Sequence, residues 1–119
     1  MNQVIKVLSI VLLTVGLLAS CAQPDPHPMD MTAAVQNAKS KADHETLATH
    51  YEEAAKDMRD KMQEHQKLLS QYKANPWKYG KQTEGLQSHC ARLVSIYSSA
   101  ADENMAMAKM HRTMAEETR

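Results

Sequence analysis

An all-α fold is expected from three observations. Phe is absent and Trp occurs once, whereas Ala, Met, Lys, Glu and Gln abound, an inventory that favours helix and offers little to a sheet. From His44 to Tyr72 no Gly or Pro interrupts the chain. Over that stretch positions 44, 48, 51, 55, 58, 62, 65, 69 and 72 alternate steps of four and three, and they read His, Ala, Tyr, Ala, Met, Met, His, Leu, Tyr: a heptad seam. The architecture these imply is an antiparallel two-helix hairpin built from an internal repeat, preceded by a short N-terminal helix and completing a bundle by self-association.

The first elements concern address. Met1 to Lys6 is short and positively charged, and Val7 to Ala19 is an apolar run interrupted only by Ser9, Thr14 and Gly16. Such a run suits the hydrophobic region of an export signal and falls short of the ~20 residues a spanning helix needs. It ends in Leu18-Ala19-Ser20-Cys21. This resembles the lipobox of bacterial lipoproteins, in which Leu and two small residues precede the cysteine that is lipidated. The resemblance covers the first 21 residues. It implies cleavage before Cys21 and acylation of that cysteine, with several fatty-acyl (palmitate-type) chains giving stable anchoring where one alone would be marginal. Ala22 rather than Asp follows Cys21. The same resemblance therefore implies sorting to the outer membrane, facing the periplasm.

On this reading residues 1–20 are a signal peptide and residues 21–31 a lipidated, Pro-rich tether containing Pro24, Pro26 and Pro28. Residues 32–119 form one helical domain, near the size at which oligomerisation commonly helps. Thr32 to Ala42, with Ala33, Ala34, Val35 and Ala38, is expected to form a short helix, and Asp43 to cap the next. On the long helix from His44, Glu52 with Lys56 and Asp57 with Lys61 stand at i,i+4 spacing, acid first. Asn75-Pro76-Trp77-Lys78-Tyr79-Gly80 turns the chain, and helix resumes from about Gln82 to Glu117.

The two long helices repeat one another. A shift of 46 places Leu47 on Leu93, Tyr51 on Tyr97, Ala54-Ala55 on Ala100-Ala101, His65 on His111 and His44 on Cys90. A turn of about eight residues makes antiparallel neighbours of its flanking helices. With its midpoint at Trp77 and Lys78, residues whose numbers sum to about 155 lie opposite. Met58 then faces Tyr97, Met62 faces Leu93, Leu69 faces Leu86 and Tyr51 faces Asn104. Ala48, Ala55, Ala101, Ala108 and Ala115 make the seam small enough for close approach. Leu47, Leu68, Leu93, Ile96, Met107 and Met114 widen the apolar stripe and call for further cover.

The same register sets His44 against His111, and His65 against Cys90 with His89 adjacent, ~30 Å apart. A seam histidine must be hydrogen-bonded or liganded to avoid a desolvation cost. Three roles suit it: a polar contact that fixes register, a ligand, or a pH sensor. For ligation, His44 and His111 have Met107, Met110 and Met114 nearby, with Met29, Met31 and His27 of the tether within reach; imidazole with thioether suits copper. His65, His89 and Cys90 suit zinc or copper. No C-x-x-C or H-x-x-x-H spacing supports a metal further. With Cys21 acylated, Cys90 has no partner in its own chain, so it is buried, bonded to another copy or liganded.

Balanced charge, 14 basic against 14 acidic residues, argues against nucleic acid as a partner. The chain lacks a phosphate-cradling glycine loop, a nucleophile elbow and a Glu-x-x-His pair, and a thin hairpin is expected to lack a pocket of ~300 Å³. No enzyme activity is expected. The function that follows is that of a membrane-anchored envelope protein with a structural or protein-binding role, the alternative being a periplasmic copper- or zinc-binding lipoprotein. Trp77 and Tyr79 in the turn are the aromatic pair most available to a partner protein.

Overall fold

A computed structural model describes residues 29–118. The export segment, Cys21 and the prolines of the tether lie outside the described residues. Within them the fold is all-α, with no strand. It comprises α1 (Met31–Asn37), α2 (Lys41–Ala74), two single-turn 3₁₀ segments (Pro76–Lys78 and Gly80–Gln82) and α3 (Thr83–Glu117). No described helix is long and apolar enough to cross a membrane.

Each boundary has a local cause. Asp30 caps α1 by accepting from the Ala33 amide. The cap of the long helix lies three residues before the expected one. Ser40 is its N-cap, and Asp43 sits at the third helical position, where it accepts from the Lys39 and Ser40 amides while the Ser40 hydroxyl accepts from the Asp43 amide. This reciprocal capping box satisfies more free amides than Asp43 could as a simple cap, so the helix extends back to it. At the far end Pro76 prevents continuation. Gly80, at φ +54°, takes the left-handed conformation that the bend requires, and the Thr83 hydroxyl lies 2.8 Å from the carbonyls of both Pro76 and Gly80.

The two long helices pack along their lengths in opposite directions, His44 meeting His111 and His65 meeting Cys90. The seam is lined with alanine. Ala48, Ala55, Ala101, Ala108 and Ala115 are all buried, as the heptad pattern requires of small residues between close helices. Among the described residues Leu47 is the one large apolar side chain in this core; it is buried where α1 comes alongside α2, and Ala33 and Ala34 share a groove with it and Thr46. That groove holds about 360 Å³ and is open to solvent, so the expectation of no pocket of this size does not hold. A third, seven-residue helix laid beside the hairpin creates a recess that two helices alone would not.

The surface charges pair differently from expectation. Glu52 makes a bidentate bond to Arg112 across the hairpin, at 2.9 and 2.8 Å, and Lys56 pairs with Asp60. The Lys61 ammonium lies 5.8 Å from the centre of the Tyr97 ring. A planar guanidinium matches both oxygens of one carboxylate, a geometry that no lysine a turn away on the same helix can offer.

Two histidine-centred sites on the hairpin seam

At the end of the hairpin beside α1, the Nδ1 atoms of His44 and His111 stand 3.2 Å apart. The two imidazoles meet edge to edge, their ring centres 5.5 Å apart, and the Tyr51 ring lies 5.6 Å from that of His111, only 9° from parallel. Nearer the turn, His65 Nδ1 lies 3.4 Å from Cys90 Sγ, and the thiol also donates to the His65 carbonyl at 3.1 Å. Tyr97 stacks on His65 at 5.5 Å and 17°.

These two groupings are the same arrangement built twice. The shift of 46 that aligns the sequence repeats carries His44 to Cys90, Tyr51 to Tyr97 and His65 to His111. Each site therefore joins His44 or Cys90 of one repeat to a His of the other, and the Tyr seven residues after His44 or Cys90 stacks on that His. Tyrosine packing was the part that backbone register alone misses. Helical side chains lean toward their own N-terminus, so on antiparallel helices Tyr51 and His111 lean toward each other and meet, as do Tyr97 and His65. A seven-residue spacing, 44 to 51 and 90 to 97, was the available signal.

His111 and Cys90 are buried, whereas His44 and His65 are half-buried. Burial, reinforced by the facing His44, pushes the His111 imidazole below its ordinary value. Its folded value being the lower, the unfolded chain takes up the proton first, so this contribution to stability is present above ~6.5 and declines as pH falls below it. Asp43, held down to about 2 by the Lys39 and Ser40 amides, acts in the same sense in a separate window, its contribution lost between its ordinary 3.8 and about 2. Thermal melts followed by far-ultraviolet circular dichroism should thus show an early loss as pH falls below ~6.5 that His111→Gln flattens. An unchanged early slope in that variant would place the acid sensitivity elsewhere.

The other candidate residues are distributed more loosely. His89 is exposed but lines one shallow cleft of about 130 Å³ with His65, Cys90 and Leu93. Met107 and Met110 are exposed on α3. His50, whose ring meets Tyr51 edge-on at 5.8 Å, is buried as well, although the heptad pattern gives no sign of it. Trp77 is 73% exposed. Tyr79 instead packs edge-on against Tyr72 at 4.9 Å and closes the turn end, so the two turn aromatics part company. Among the described residues Cys90 is a free, buried thiol. Among the described residues no cluster of three or more His, Cys, Asp or Glu side chains stands ready to enclose a metal ion.

No protein family, curated protein or solved structure matches the chain.

Proposed function

We propose that this chain is a lipoprotein of the bacterial envelope, anchored through acylated Cys21 to the outer membrane, whose helical hairpin faces the periplasm and serves as a binding and assembly element rather than a catalyst. The anchor rests on Leu18-Ala19-Ser20-Cys21 at the end of the apolar run. One structural observation carries the assembly role. On α3, Met107, Met110 and Met114 stay exposed on one face, within ~60° of helix circumference and about a third of a turn from the buried seam, with exposed Ile96 on the same face beyond Glu103. An apolar stripe of this kind on a thin hairpin is a surface for association, and a second copy laying its own stripe against it completes a four-helix bundle.

Two measurements test the parts separately. Mass analysis of the N-terminal peptide from membranes should find a chain that starts at Cys21 and carries acyl groups, and Cys21→Ser should abolish both features. A processed chain that starts elsewhere, or an unmodified Cys21, would overturn the anchor. For assembly, sedimentation of the full-length Cys21→Ser chain should show a dimer that Met110→Asp with Met114→Asp converts to monomer. A monomer with the stripe intact would refute self-association.

A further inference from the structure

We infer that the hairpin carries two pseudo-equivalent sites for a soft monovalent cation, Cu(I), one formed by His65 with Cys90 and the other by His44 with His111. The inference rests on neither the anchor nor the self-association proposed above. It starts from what faces what. Each pair opposes two donor atoms that copper(I) accepts, imidazole nitrogen to imidazole nitrogen at 3.2 Å and imidazole nitrogen to sulfur at 3.4 Å. A seam that needed a polar contact only to fix its register would be served by one pair. Here the repeat produces two, with a tyrosine stacked behind a histidine in both.

The distances suit a bridging ion with little movement. A straight two-coordinate bridge with bonds of ~2 Å asks the nitrogen–nitrogen gap of 3.2 Å to widen by under ~1 Å. Replacing the thiol proton by metal, with bonds of ~2.3 Å to sulfur and ~2 Å to nitrogen, asks for a similar opening at the second site. Half-burial of His44 and His65 leaves a path from solvent to each pair.

The number and softness of the donors choose the ion. Zinc takes four ligands, and among the described residues no third His, Cys, Asp or Glu completes a cage round either pair. Calcium and magnesium need several oxygens. Thiolate and imidazole are donors that Cu(I) selects, and the thioethers of Met107 and Met114 lie one turn to either side of His111 on the same helix. Binding involves no change of oxidation state. At His65 and Cys90 the thiol releases one proton to solvent as the sulfur–copper bond forms, leaving a neutral complex. At His44 and His111 two neutral imidazoles give a complex that keeps the charge of the ion. The thiolate site should therefore fill first.

The test uses the full-length chain with Cys21→Ser, so that Cys90 is the sole thiol, kept reduced and anaerobic in detergent and titrated with Cu(I) held by bathocuproine disulfonate. Two equivalents should bind, with an ultraviolet thiolate-to-copper band rising over the first. Cys90→Ser should leave one equivalent and no band. His44→Gln and His111→Gln should each leave one equivalent with the band intact, and His89→Ala should retain both. Circular dichroism of each variant separates loss of fold from loss of ligand. If one imidazole variant unfolds, its partner substitution across the seam reads the same site. Failure to draw copper from the chelator, or uptake indifferent to both Cys90→Ser and the imidazole variants, would overturn the inference. Equal uptake of Zn(II) on the same residues would overturn the choice of ion.

Discussion

Replacing Ala55 by Leu should destabilise the protein by roughly 1–3 kcal/mol through overpacking. Ala55 is 0% and Ala101 2% exposed, and both sit on the alanine seam that lets the two long helices approach. Three extra carbons cannot enter there without prising the helices apart, and alternative rotamers lead back into the facing backbone. Urea unfolding should show a lower midpoint at unchanged slope. Ala106→Leu, on the exposed face of the same hairpin, should change stability by no more than ~0.5 kcal/mol. Ala55 and Ala101 lie close to opposite one another, so the double leucine variant should cost less than the two single costs added, because the first has already opened the gap that the second needs. A neutral Ala55→Leu would mean that the seam is not close-packed. The same opening carries a second consequence. His44 with His111 and His65 with Cys90 flank Ala55 by about ten residues on either side, so their donor atoms should separate and copper uptake should weaken with stability.

The register of the hairpin is legible in the sequence, for a physical reason. A heptad pattern fixes which face of each helix is inward, and a short turn fixes how the helices slide past one another; together they leave one solution. This is why Ala48, Ala55, Ala101, Ala108 and Ala115 are the buried alanines of the seam and why both donor pairs meet where the pattern places them. What stayed hidden depends on side-chain direction and on competition between local bonds. The tyrosine stacks follow from the lean of helical side chains, which spacing alone does not express. Capping by Ser40 rather than Asp43 follows from a reciprocal pair beating a single bond. Glu52 ignores Lys56 because Arg112 offers two bonds at once across the hairpin. Burial of His50 has no counterpart in the heptad, since it lies on a face that the two-helix pattern assigns to solvent.

Leu47→Ala should be the most damaging single truncation, costing ~2–5 kcal/mol. Leu47, 2% exposed, is the largest fully buried side chain, in a core otherwise made of alanine, one cysteine and two histidines. Alanine contributes little apolar area, so this leucine supplies an unusual share of what holds the fold together. For a protein of ordinary stability, ~5–15 kcal/mol, the loss is a large fraction of the total. The cavity would open between α1 and α2, where Ala33 and Ala34 are too small to collapse into it. Leu47→Met, which conserves volume, should cost under ~1.5 kcal/mol. Leu68→Ala, half-buried nearer the turn, should cost less than Leu47→Ala. The buried residues cluster at Leu47–Ala55 and Ala101–Ala115, whereas Cys90 alone is buried in the half nearer the turn. Amide hydrogen exchange should accordingly be slowest in the half that holds His44 and His111 and faster around His65 and Cys90, and Leu47→Ala should abolish that difference. Uniform exchange in the unaltered protein, or a loss below ~1 kcal/mol in Leu47→Ala, would show that α1 does not seal this end, and the His44–His111 pair would then lie as open to solvent as the thiol site.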